Sequence, residues 1–197
     1  MTMLVFLRKV AAQPYLSHMR MILTWLLWAV PAVADPMLID DFSEGAEARW
    51  QYVSDRVMGG VSDGGAGIGT EADTRFAQLR GTVSTANNGG FIQIRRSLSD
   101  GLPKDATGLQ FSVRGNGEGY FVHLRPATAA RPWQYYQASF ATSSEWQTVT
   151  LSWDAFIPKG GLSIGFAPAD LRSVGFIAYG ADFEAALEID WLATTHR

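Results

Sequence analysis

The sequence predicts an all-β sandwich, and three observations carry that expectation. Short segments of alternating apolar and polar residues recur between glycine-rich breaks, and no segment shows the period of an amphipathic helix. The chain also holds 20 glycines and 12% aromatic residues, which supply turn dihedrals and side chains suited to a pleated surface. With 197 residues, 47% of them hydrophobic and 18% charged, it can bury one good core without a second domain.

The N-terminus reads as a targeting segment. Met19-Arg20 is followed by the apolar run Met21 to Val33 and by the small-residue site Ala32-Val33-Ala34. These are the charged, apolar and cleavage regions of a signal peptide, and the run falls short of the ~20 residues of a membrane-spanning helix. Residues 1–34 are therefore expected to be an N-terminal extension and signal peptide, with Met19 or Met21 the start. Residues 35–197 are expected to form a single β-sandwich domain, periplasmic or secreted after cleavage near Ala34, with no spanning membrane segment in the mature chain.

Removal of 1–34 takes away Arg8, Lys9 and Arg20 and leaves 13 basic against 19 acidic side chains, a net charge of −6. Such a surface lacks the basic footprint of nucleic-acid binding. The chain has no cysteine, which excludes disulfides, thiolate chemistry and a lipidated N-terminal cysteine.

Along the mature chain, strands are expected at Met37 to Phe42, Arg75 to Ser84, Gly90 to Arg96, Leu109 to Arg114 and Tyr120 to Arg125, then at Gln134 to Ala141, Gln147 to Trp153, Ser173 to Tyr179 and Ala186 to Leu192. Leu109, Phe111 and Val113 alternate with Gln110, Ser112 and Arg114, which puts the apolar set on one face, and Leu187, Ile189 and Trp191 follow the same rule. Turn signals fall between the strands, as at Asn88-Gly89-Gly90, Gly115-Asn116-Gly117 and Gly160-Gly161. The stretch Ser54 to Gly69 shows no alternation and reads as a long, shaped loop with a packed start.

That stretch begins Ser54-Asp55-Arg56-Val57-Met58-Gly59-Gly60-Val61-Ser62, shortly after Trp50. Gly81-Thr82-Val83-Ser84, Asn87-Asn88-Gly89-Gly90-Phe91, Val113-Arg114-Gly115-Asn116-Gly117, Trp146-Gln147-Thr148-Val149 and Ile189-Asp190-Trp191-Leu192 follow in order. Together these resemble the signature of the complex I intermediate-associated protein 30 family, over about Leu38 to Leu192. The resemblance implies a galactose-binding-like jelly roll, a fold shared with carbohydrate-binding modules that have no catalysis, and mitochondrial relatives that act as assembly factors for respiratory complex I. Gly59-Gly60 and Gly89-Gly90 are expected to need positive φ or close backbone approach, and to shape two loops. In a structural role, Asp55 and Arg56 cap a turn or form an ion pair with Met58 and Phe91 packed beneath; in a functional role, these residues with Ser62 and Asn88 touch a ligand.

No catalytic constellation is expected. The mature chain holds only His123 and His196, and no nucleophile elbow, paired-histidine zinc motif, Walker loop or dinucleotide fingerprint occurs. No cofactor is required. Because jelly-roll binding modules often carry a structural calcium, Asp40, Asp41, Glu188 and Asp190, on the first and last strands, are candidate oxygen ligands if those strands are neighbours.

The candidate binding face comes from parity. If the strands at 109–114, 120–125 and 134–140 are antiparallel neighbours, Tyr120, Val122, Leu124, Tyr136, Ala138 and Phe140 point to the core. The opposite face then gathers Arg114, Phe121, His123, Arg125, Tyr135 and Gln137 with Gln110, Ser112 and Ser139. Flat rings beside forked donors and amides suit sugar rings or extended peptides. Two functions are expected to compete: an exported protein-interaction or assembly module for a membrane-associated complex, and a carbohydrate-binding domain on the same face. The partner is a protein or a saccharide.

Overall fold

The alternation of the mature chain builds two antiparallel sheets in the computed structural model, which describes residues 36–196. The expected signal peptide and its cleavage site at 1–34 lie outside the described residues. In chain order the strands are β1 (Leu38–Asp40), β2 (Trp50–Ser54), β3 (Asp63–Glu71), β4 (Thr74–Val83), β5 (Phe91–Ser97) and β6 (Gly108–Gly115). They continue with β7 (Gly119–Pro126), β8 (Tyr136–Ala141), β9 (Gln147–Ser152), β10 (Ile157–Pro158), β11 (Leu171–Tyr179) and β12 (Phe183–Thr195). A back sheet runs β3-β4-β12-β6-β9 with β1 on β12, and a front sheet runs β10-β8-β7-β11-β5-β2. The result is a jelly-roll β-sandwich. The one α-helix described is a single turn, Ala46–Arg49, and no described helix is long and apolar enough to cross a membrane.

Inner faces follow the sequence parity closely. Leu109, Phe111 and Val113 from the back sheet meet Tyr120, Val122, Leu124, Tyr136, Ala138 and Phe140 from the front, all buried. Phe111 bridges the sheets, with its ring centroid 5.0 Å from Phe140 and 5.1 Å from Phe176, both edge-on. Edge-to-face pairs add about 0.5–1.5 kcal/mol each beyond area burial. Tyr120 is fully buried without a polar penalty: its hydroxyl donates to Asn116 Oδ1 at 2.7 Å and accepts the Ala186 amide at 2.9 Å. Burial pushes its phenol up to about 12.

Three sequence expectations fail here. Asp63–Glu71 is a nine-residue edge strand, not loop: β4 supplies its hydrogen bonds, and glycine permits an approach so close that a Cβ at Gly64 would lie 2.3 Å from the Arg80 carbonyl oxygen. Trp191 does not share the face of Leu187 and Ile189. A bulge at Asp190 shifts the pairing from Ile189↔Val113 to Trp191↔Ser112, so Leu192 takes the buried side instead. Third, β6 does not neighbour β7. Both its edges are taken by β12 and β9, so the turn Asn116 to Glu118, with Gly117 at φ +88°, carries the chain across the sandwich.

Candidate functional site

That crossing splits the expected face. Arg114, with Gln110 and Ser112, lies on the back sheet, where its guanidinium pairs with Glu188 and Glu71 and stacks 4.6 Å from the Trp146 centroid. It belongs to no site shared with His123. Phe121, His123, Arg125, Tyr135 and Gln137 do come together on the outer face of the front sheet, because β7 and β8 pair with His123 opposite Gln137 and Phe121 opposite Ser139. Next to them β11 places Ser173 against Arg125, Gly175 against His123 and Ile177 against Phe121, and β5 adds Arg95 and Gln93 on the far side of β11.

These rows, apart from Phe121 and Gln137, which lie beside it, floor a cleft of about 310 Å³. Gly175 makes the hollow between His123 and Arg95, since a side chain there would sit 3.2 Å from the Ile94 carbonyl and fill the middle of the floor. The His123 and Tyr135 rings stack face to face at 3.9 Å and 15°, each covering a face of the other, and Phe121 and His123 each meet Tyr179 edge-on. Val57, Met58, Trp133 and Tyr179 stand on the rim at 74, 61, 55 and 40% exposure, high values for large apolar side chains.

The floor is polar and unsatisfied. Among the described residues five buried side-chain nitrogen or oxygen atoms lack a partner, and three of them, His123 Nε2, Arg125 Nε and Gln137 Nε2, lie side by side on β7 and β8. Buried polar groups in folded proteins are normally bonded, so this cluster carries a burial cost that the back sheet does not. Burial, with Lys159 nearby, depresses the His123 pKa to about 3, which leaves a neutral imidazole. Burial and then Arg95 lower the Arg125 pKa, while burial and the Tyr179 phenol raise that of Tyr135.

The signature loops close one end of the cleft. Asp55 is fully buried and accepts from the Ser62 amide at 3.0 Å, the Ser62 hydroxyl, the Gly90 amide at 2.6 Å and the Phe91 amide at 3.3 Å. Burial raises its pKa, but these bonds more than offset that, and the carboxyl lies below its ordinary value. Gly60 and Gly89 are required by this carboxylate, because a Cβ would meet Asp55 Cγ at 2.3 Å or Oδ2 at 2.4 Å respectively. Gly59 and Gly90 carry the positive φ, +91° and +120°. Arg56 pairs with Asp63 at 3.0 Å. Asp55, Ser62, Gly60 and Gly90 are thus structural, whereas Met58, Asn88, Gly89 and Phe91 line the cleft. Met58 is not packed beneath the loop but exposed above it.

The calcium candidates do not converge. β1 does pair with β12, yet Asp40 is spent on Arg49 Nη2 at 2.8 Å, Trp50 Nε1 at 2.9 Å, the Phe42 amide at 2.9 Å and Arg96. Glu188 is spent on Gln78, Arg80 and Arg114. Asp41 accepts the Ser43 amide, and Asp190 sits at the bulge with a pKa raised by burial. Arginines occupy the place of a cation, and no described group of three or more His, Asp or Glu side chains could hold a metal ion.

Sequence reasoning missed Gln93, Arg95, Trp133, Ser173, Gly175 and Tyr179. Parity within β5 and β11 places Gln93 and Arg95 opposite Ile92 and Ile94, and Ser173, Gly175 and Ile177 opposite Val174 and Phe176, so that signal was present. What parity lacks is which strands share a sheet.

Residues 41–189 match the model of the complex I intermediate-associated protein 30 family. No curated protein matches the chain in sequence. In structure it is similar to the family 11 carbohydrate-binding module of the cellulosomal cellulase Lic26A-Cel5E of Clostridium thermocellum, with TM-score 0.70, 15% identity, and 83% of this chain and 96% of that one covered. The Clostridium thermocellum family 11 module in complex with a β-1,3-1,4-mixed-linked tetrasaccharide matches with TM-score 0.66 and 15% identity, covering 82% and 95%. An exo-β-agarase matches with TM-score 0.58 and 6% identity over 83% of this chain and 25% of the agarase. These likenesses show the fold.

Proposed function

We propose that this chain, which belongs to the complex I intermediate-associated protein 30 family, is a non-catalytic, exported binding module whose front-sheet cleft takes an extended saccharide. One observation carries the reading: aromatic walls of His123, Tyr135 and Tyr179 flank a floor whose buried Nε2 and Nε atoms have no partner in the chain. Sugar rings offer apolar faces for stacking and hydroxyls that both donate and accept. A neutral His123, Gln93 and the Arg125 fork, all lining the cleft, match those hydroxyls in chemistry. The cleft spans β11 from Ser173 to Tyr179, roughly 20 Å of strand, a length suited to an oligomer. Shared fold with carbohydrate-binding modules supports this reading, and the apolar run before Ala34 supports export.

An array of linear neutral and acidic glycans tests it. Wild-type protein is expected to bind at least one class, and Tyr135→Ala with Trp133→Ala to lose roughly tenfold or more in affinity, about 1.4 kcal/mol, with the melting temperature retained. Absence of any bound glycan sinks the saccharide reading. A second reading, a protein partner in assembly of a membrane-associated complex, is favoured by the family's name and by exposed Val57, Met58 and Val61 beside the cleft. Co-purification from membranes that depends on Val57 and Met58 would support it.

A further inference from the structure

The mature chain carries more acids than bases, yet no carboxylate lines the cleft. None lines the adjoining open hollow of about 290 Å³ either, where Arg95, Ser97, Arg125, Arg172 and Ser173 meet. Elsewhere arginines are answered: among the described residues Arg49, Arg56, Arg75, Arg80, Arg96 and Arg114 each pair with a carboxylate. The other four described arginines, Arg95, Arg125, Arg131 and Arg172, pair with none, and all stand at this one end. Arg125 Nη2 donates to the Arg131 carbonyl at 3.1 Å, the Arg131 guanidinium lies 5.4 Å from the Trp133 ring, and Arg172 Nη1 donates to the Ala169 and Leu171 carbonyls.

Arg95 and Arg125 are partly buried; such guanidinium groups without a counter-charge are costly, and a chain with six paired arginines has the acids to avoid the arrangement. The register shows that the cluster is built into the sheet: β11 pairs Ser173 with both Arg125 and Ser97, while Gly175 opposite Arg95 keeps the space between the strands open. Guanidinium forks with nearby hydroxyl donors match a planar carboxylate or the oxygens of a sulfate ester.

Resting on the saccharide reading above, we propose that the ligand is an anionic polysaccharide, whose carboxylate or sulfate group seats among Arg95, Arg125 and Arg172 while its sugar rings lie along Tyr135 and Tyr179. The cleft thereby selects charged chains over neutral ones of the same length. Ser97 and Ser173 hydroxyls complete the anion's hydrogen bonds.

Isothermal titration of the mature protein with four probes of equal length decides it: a neutral β-glucan oligomer, an oligogalacturonate, a sulfated oligosaccharide and a poly-glutamate peptide. Expected is a preference of roughly tenfold or more for the uronate or the sulfated oligomer over the neutral one at low salt. Which of the two leads identifies the anion. That ratio shrinks as NaCl screens the arginines and falls close to unity in Arg95→Gln/Arg172→Gln. Should the double variant fail to fold, Arg172→Gln alone, at an exposed position, carries the same reading of the ratio. Equal affinity for neutral and charged oligomers, or a preference untouched by the substitutions, overturns this inference and leaves the saccharide reading standing. If no oligosaccharide binds, both fall, and tightest binding of poly-glutamate overturns both in favour of an acidic protein segment.

Discussion

The outer faces of the two sheets are built from similar side chains and used in opposite ways. On the back sheet Glu188 gathers Gln78, Arg80 and Arg114, and Arg114 also reaches Glu71 and stacks on Trp146. On the front sheet His123, Arg125 and Gln137 keep buried atoms unpaired, and Arg95 meets no carboxylate. A saturated face contributes to stability and has nothing left to offer a ligand; an unsaturated one gives up stability and retains binding capacity. The difference separates scaffold from candidate site without any appeal to residue type, since arginine stands on both faces.

The largest expected effect comes where scaffold meets site. Asp55→Ala removes the acceptor that joins the two signature loops and leaves the Ser62, Gly90 and Phe91 donors unpaired. It should cost about 3 kcal/mol or more in chemical denaturation, and Gly60→Ala should reproduce part of that by striking the same carboxylate. Because the folded-state pKa of Asp55 lies below its unfolded value, its contribution is present above about pH 4 and disappears as pH falls through the folded value; Asp55→Asn should flatten that acid limb. A wild-type denaturation midpoint in Asp55→Ala would remove the loops from the scaffold.

A smaller effect sharpens the contrast directly. Arg114→Ala should lower stability by about 1–3 kcal/mol and leave glycan affinity alone, because it strips a partner from buried Glu188. Arg125→Ala should do the reverse, costing about 2 kcal/mol of binding and less than about 1 kcal/mol of stability, since it loses one exposed bond to the Arg131 carbonyl while its Nε has no partner. Paired denaturation and titration curves check both, and equal behaviour of the two variants would erase the distinction between the faces.

Near neutral pH the smallest effect concerns His123. With its folded pKa at about 3 against about 6.5 unfolded, the unfolded state binds the extra proton, so stability is full above pH 6.5 and declines as pH falls toward 3. Between pH 8 and pH 6 this removes about 1 kcal/mol, and His123→Gln should abolish that slope. In NMR titration the imidazole should stay neutral down to about pH 4; a midpoint near 6.5 would mean that the cleft floor is wet and its donors solvated.

How much of this was legible differs by region. Inner faces were read correctly strand by strand, from Leu109, Phe111 and Val113 to Tyr136, Ala138 and Phe140, because period-two alternation is local and burial enforces it. The family was legible from the loop motifs and matches over 41–189. Within the front face, Phe121, His123, Arg125, Tyr135 and Gln137 were found for the same local reason.

Beyond the pairing of β7 with β8, which strands share a sheet was not legible. Arg114 has the right parity and the wrong sheet, since alternation is identical whether a turn folds back beside its strand or crosses the sandwich. The glycine-rich β3 carries no apolar period and is a strand only because β4 holds it. Asp40 and Glu188 looked like cation ligands until Arg96, Arg80 and Arg114, from distant parts of the chain, were brought to them beside the local Arg49. Sequence alone thus determined which side of a regular strand faces the core, since the pleat sets that within two residues, but not beyond the bulge at Asp190, where Leu192 replaces Trp191 on the buried side. Tertiary structure decided which charges of Glu188 and Asp55 are paired and which arginines of the front sheet are not, since those contacts join residues 35 to 110 positions apart.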